Sequence, residues 1–206
     1  LLVISVYFFT WAIVISARAA QPFESMLQDY ALVTCTLGQQ SFIHSLTDAV
    51  RSMFLHLSIF DLFLNMLTLW VFGPLVERWL GHRNFVGFFL LAGLVGHGAN
   101  LLLSPGECQT LFGPSGAIAA LLGAFLLLFP NKRVDVILLS RGYNVPAFLF
   151  ILFYLAASIF GENDVLSGQL TPFWDEIIGF FFGMLVVFVV TLFKSAPKVD
   201  PFEHLD

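Results

Sequence analysis

The apolar stretches of this chain are interrupted at a few places by side chains of the kind used in acyl transfer and proton transfer. Ser115 stands between two glycines in Gly113-Pro114-Ser115-Gly116, at the mouth of an apolar run. Asp61 and Asn65 are four apart and share one helix face. His97 and Asn100 fall in one apolar segment, and Asp175 and Glu176 are adjacent ahead of another. A serine hydroxyl attacks a carbonyl only when a base takes its proton and donors receive the developing oxyanion. Imidazole, with a pKa near 6.5, suits the first task, whereas a glutamate near 4.3 is a much weaker base. Each residue also has a plainer explanation. A serine beside proline at a helix start can cap free N–H groups. Polar groups inside a membrane pair with one another, which is the reading adopted for His97 and Asn100.

These residues have to be positioned by membrane-spanning helices. Of 206 residues 58% are hydrophobic, 25 of them phenylalanine, and only 11% are charged. Soluble domains run at roughly 45–50% and about 25%. An all-α, polytopic membrane protein in contact with a lipid bilayer is therefore expected, as a single domain over residues 1–206. The net charge of −5 is spread over loops and tail, and without a basic patch nucleic acid is not an expected partner. Six apolar segments cover residues 1–17, 54–80, 85–103, 115–129, 145–160 and 177–193. Most approach the ~20 residues that cross a bilayer. The first is slightly short and, opening at Leu1 rather than Met, leaves room for preceding residues. The fourth ends at Pro130, and its shortness suits a helix buried within the bundle.

Seven of the nine basic residues, Arg78, Arg83, Lys132, Arg133, Arg141, Lys194 and Lys198, fall on one side of this topology. The positive-inside rule makes that side cytoplasmic. Both termini, including the tail 194–206, are then cytoplasmic, and Ser115 opens toward the outside. The long outer loop from Arg18 to about Met53 contains "FESMLQDYALV" and "SLTDAVRSMFLHL", which read as short helices lying in the interface. Cys35 and Cys108 are both on the outer face, where a disulfide is permitted; two unpaired thiols are the alternative. No cluster of His, Cys and carboxylates has ligand spacing, so neither metal nor cofactor is expected.

Small residues indicate where helices approach closely. Gly116, Ala120, Gly123 and Ala124 line one side of the fourth segment, and Gly179 and Gly183 are four apart in the sixth. Such surfaces bring backbones together in lipid, and this contact would set Glu176 near the height of Ser115. Taken in order, "HLSIFDLFLNMLTLWVFGPLVERWLG", "GPSGA", "RVDVILL…VPAFLFILFYL" and "ExxGxxxG" resemble the second, fourth, fifth and sixth spans of the rhomboid intramembrane serine proteases. The likeness runs from Phe54 to Phe193, roughly two-thirds of the chain.

The resemblance implies a six-helix rhomboid bundle with Ser115 at the nucleophile position and Asn65 at an oxyanion position. It also exposes two departures. Where active rhomboids carry the general-base histidine of the sixth span, this chain has Glu176. Where they carry the oxyanion histidine of the second span, it has Asp61. An ionised Asp61 would oppose the oxyanion, and only its protonated form could donate. The expected function is thus that of a non-catalytic rhomboid-like protein in a bacterial inner membrane, holding a transmembrane client or serving as a subunit of a membrane complex. The alternative is an active intramembrane serine endopeptidase using Ser115 with Glu176 or His97 as base. A third reading treats Asp61, Glu176 and His97 as a proton path.

Overall fold

The computed structural model describes residues 30–37, 39–56, 59–104, 108–138, 141–161 and 174–194. The expected first span, most of the segment "FESMLQDYALV", the loop 162–173 and the tail beyond Lys194 lie outside the described residues. Among the described residues six α-helices follow in chain order: α1 Phe42–Ser52, α2 Ile59–Leu80, α3 His82–Leu103, α4 Ser115–Leu128, α5 Ala147–Gly161 and α6 Trp174–Thr191. Two small antiparallel sheets join them. One pairs β1 (Leu32–Val33) with β2 (Thr110–Leu111), and the other pairs β3 (Arg133–Leu138) with β4 (Arg141–Pro146).

Helix α4 is the axis of the structure. Its sequence "SGAIAALLGAFLLL" is apolar on every side, and such a helix has no face for water. Residues 116 to 125 are all buried, as the short fourth segment led one to expect. The helix ends at Leu128 because Phe129 precedes Pro130 and leaves helical geometry, with φ −133° and ψ 59°. Around it, Phe72 of α2 meets Phe125 edge-on at 4.8 Å and Phe150 of α5 at 5.2 Å. Large apolar side chains on the outer faces of α2, α5 and α6, among them Phe63, Trp70, Phe153 and Phe181, are exposed. Among the described residues, α3 and α6 have both the length and the hydropathy to cross a membrane; α4 and Ala147–Ala156 are shorter apolar helices.

The closest seam runs between α4 and α6. A Cβ placed on Gly179 would collide with the backbone of Gly116, and one on Gly183 with the backbone of Ala120. Gly123 lies equally close to the Phe180 carbonyl. The spacing of small residues therefore does what it suggests in lipid, bringing two backbones into contact. At the far end from Ser115, the Lys194 ammonium donates to the Trp79 carbonyl and lies 5.4 Å from the Trp79 ring centroid. Gly81, at φ 90°, turns α2 into α3, and the buried Glu77 pairs with His82 across that turn.

Among the described residues α2 covers Ile59–Leu80, within the expected span 54–80, and α6 covers Trp174–Thr191, overlapping the expected 177–193. Other expectations need correction. The stretch leading into α5 is a β-hairpin, with Val134 opposite Val145 and Arg133 donating to the Asn144 carbonyl at 2.8 Å. Its alternation of charged and β-branched residues, Arg133-Val134-Asp135-Val136, is a strand signal that the search for membrane spans passed over. Before α2, α1 is a helix as expected, with Phe42, Ile43 and Leu46 exposed and Ala49 and Ser52 buried. Leu32–Val33, by contrast, is a strand and not the end of a helix, because it pairs with Thr110–Leu111.

Candidate functional site

Three backbones converge at the Ser115 end of the bundle. A Cβ on Gly96 of α3 would stand 3.1 Å from both the Gly116 Cα of α4 and the Asp175 Cβ of α6. Only glycine at 96 and 116 permits this approach. Ser115, half-buried, is the first residue of α4. The preceding loop reaches it through Gly113, whose φ of 87° favours glycine and whose N–H donates to the Ser52 carbonyl at 2.9 Å.

The Ser115 hydroxyl donates to Oδ2 of Asp175. It does not cap α4: the N-cap position is Pro114, with no side-chain cap hydrogen bond, so the capping explanation fails. Its partner is the residue just before Glu176, which by the resemblance stands at the general-base position. Asp175 and Glu176 are both buried in the first turn of α6. Asp175 is four residues before Gly179 and eight before Gly183, so it continues the seam that faces α4. The same spacing sets Glu176 on the other flank of the seam, so it does not single out Asp175.

His97 is buried, and its Nε2 lies 3.2 Å from the Ser52 hydroxyl. Ser52 has one hydroxyl proton and gives it to the Ala49 carbonyl at 2.9 Å, so the imidazole Nε2–H is the donor in this pair. His97 thus ties α3 to α1, in keeping with the structural reading made for it. Asn100 is buried one turn further along α3.

Asp61 and Asn65 do share a face. The Asn65 amide nitrogen donates to Asp61 Oδ1 at 2.7 Å, and its oxygen accepts from the Tyr154 hydroxyl of α5 at 3.1 Å. Sequence reasoning missed Tyr154, since nothing in its apolar surroundings marks it. The buried His56 meets the Phe54 carbonyl through Nδ1 at 3.2 Å. Cys35 and Cys108 are joined, with their Cα atoms 5.2 Å apart. Among the described residues no three His, Cys, Asp or Glu side chains form a group able to hold a metal ion.

A helical segment bonded to the loop before α4, a glycine seam between α4 and α6, and a serine at their common end define a rhomboid-type membrane helix bundle. The Rhomboid domain model matches residues 30–193, and the chain belongs to the rhomboid family. It is 30% identical over 112 residues to Rhomboid protein 1, mitochondrial, of Saccharomyces cerevisiae, covering 52% of this chain and 31% of that protein. It is 36% identical over 122 residues to Rhomboid protease GluP of Bacillus subtilis, covering 58% and 23%. The presenilin-associated rhomboid-like protein, mitochondrial, of Rattus norvegicus is 32% identical over 101 residues, covering 48% and 25%. The chain therefore spans a third or less of the length of these curated relatives. Family membership makes it an integral membrane protein.

Proposed function

We propose that this chain is a non-catalytic rhomboid that binds and holds other transmembrane segments. In this reading the whole chain forms one six-span domain of a bacterial inner membrane. Its tail from residue 194 is cytoplasmic and Ser115 faces outward. The observation that carries the proposal is the partner of Ser115: a carboxylate receives its proton. Serine proteolysis needs a group that takes this proton and returns it to the leaving amine. An imidazole suits both steps, and a carboxylate is the poorer choice for them. Asn65, at the proposed oxyanion position, directs an N–H at Asp61 instead. Loss of one oxyanion donor costs on the order of 10²–10³ in rate, and an adjacent carboxylate adds like charge. Ser115 is then a retained nucleophile position, while Glu176 and Asp61 stand in place of the two histidines.

The match to the Bacillus subtilis protein supports a bacterial membrane, although other relatives are mitochondrial. The exposed aromatic faces of α2 and α5 suit contact with a client helix. The test is labelling of the purified protein with a serine-reactive fluorophosphonate, beside recovery of partners in mild detergent. No labelling and a co-purifying membrane protein are expected. Labelling that disappears in Ser115→Ala overturns the non-catalytic reading, and recovery as a bare monomer counts against the holding role.

The same Ser115–Asp175 hydrogen bond favours a second reading, an intramembrane serine endopeptidase. Its base would be Asp175 rather than Glu176 or His97. In that case labelling is lost in Asp175→Asn as well as in Ser115→Ala.

A further inference from the structure

The loop that delivers Ser115 to α4 is held from above by very little backbone pairing. β1 and β2 are two residues each, in the register Leu32 with Leu111 and Val33 with Thr110. Beyond them the Thr34 N–H donates to the Gln109 carbonyl at 2.9 Å, and the Gln109 N–H donates to the Thr34 hydroxyl at 2.9 Å. A ladder this short is marginal by itself. The Cys35–Cys108 bond sits at its open end and joins segments 73 residues apart in sequence. Both cysteines are exposed, whereas Leu32 and Leu111 beneath them are buried against Ala49 of α1. The next fixed point along the loop is the Gly113 N–H on the Ser52 carbonyl, and Ser52 is the residue that meets His97.

We propose that the Cys35–Cys108 disulfide is a redox-sensitive strap that clamps the outer loop to residues 108–114 and so fixes the approach to Ser115. An external thiolate attacks one of the two sulfurs, the S–S bond breaks, and a mixed disulfide forms. A second thiol of the reductant resolves it, leaving two cysteine thiols and an oxidised reagent, a two-electron exchange. With the strap open, the loop loses its one covalent tie and rests on non-covalent contacts, among them the short ladder, the packing of Leu32 and Leu111 on Ala49 and the Gly113–Ser52 bond, and it opens more often. The glycine seam between α4 and α6 lies deeper and does not depend on the strap. The inference is independent of whether Ser115 is reactive.

The test uses the full chain in detergent, with a water-soluble phosphine as reductant. A maleimide of high mass should add to neither cysteine before reduction and to both afterwards. Amide hydrogen exchange at Thr34, Gln109 and Gly113 should then accelerate by about tenfold or more, while α4 and α6 keep their protection. A Cys35→Ser/Cys108→Ser variant should show the fast loop pattern from the start and ignore the reductant. Retained protection of α4 and α6 in that variant shows that it has folded. Maleimide labelling of both thiols without reduction overturns the proposal, and so does loop exchange that reduction and the double variant both leave unchanged.

Discussion

A single methyl group at position 183 tests the seam on which the geometry around Ser115 rests. Built on Gly183, a Cβ would fall 2.6 Å from the Ala120 carbonyl carbon and 2.8 Å from its Cα, with the carbonyl oxygen closer still. These are backbone atoms and cannot rotate aside. Carbon–carbon contacts become comfortable near 3.5 Å, so α4 and α6 would have to part by about 1 Å. Forced overpacking of this kind costs about 1–3 kcal/mol. Two further effects act in opposite directions. Alanine is the better helix former by about 1 kcal/mol, whereas parting the helices stretches the Ser115–Asp175 hydrogen bond, worth about 1.5–3 kcal/mol to a charged acceptor. A net loss of about 2 kcal/mol is expected for Gly183→Ala, which for a chain of this length lowers the melting temperature by about 4–8 °C. Gly98→Ala is the control: a Cβ there meets nothing within 4 Å, so only the helix gain of up to about 1 kcal/mol remains. Thermal unfolding in one detergent, followed by far-ultraviolet circular dichroism, compares both variants with the parent. A Gly183→Ala protein as stable as the parent, beside a normal Gly98→Ala, would refute the argument that backbone contact at this seam determines the fold.

Other predictions follow from individual contacts. A double-mutant cycle of Ser115→Ala with Asp175→Asn should show coupling of about 1–2 kcal/mol, and the cycle with Glu176→Gln less than about 0.5 kcal/mol; the reverse order would return the role to Glu176. Tyr154→Phe removes the bond from α5 to the Asn65 oxygen and should cost about 0.5–1.5 kcal/mol in the same unfolding assay, an unchanged midpoint counting against that contact. His97→Gln keeps a donor for the Ser52 hydroxyl and should be milder than His97→Leu by about 1 kcal/mol. Equal losses would mean that packing, not the hydrogen bond, fixes the imidazole.

What the sequence made legible follows from how far each pattern reaches. The small-residue spacing on the fourth and sixth segments reports directly on backbone approach, and the seam of Gly116, Ala120, Gly179 and Gly183 is where that spacing placed it. The apolar run of α4 announced burial on all sides. The β3–β4 hairpin was hidden because a search for spans weights mean hydropathy over alternation, and Val134, Val136 and Ile137 satisfy both. Tyr154 was invisible for a different reason: its partner Asn65 is 89 residues away in sequence, and only the docking of α5 on α2 brings them together.

The choice between Asp175 and Glu176 shows the limit most clearly. Counting back from Gly179 at about 100° per residue, position 175 lies about 40° to one side of the glycine and position 176 about 60° to the other. The two carboxylates therefore straddle the seam almost symmetrically, and the glycine spacing that defines the family frame cannot choose between them. The start of α4 makes the choice. Gly179 rests on the Gly116 backbone, so Ser115 must lie to one side of that contact, and its hydroxyl is found on the Asp175 side. An alignment assigns a role to a column, but a hydrogen bond depends on the angle at which two helices meet. In this protein those two criteria differ by one residue, and the hydrogen bond of Ser115 follows the angle.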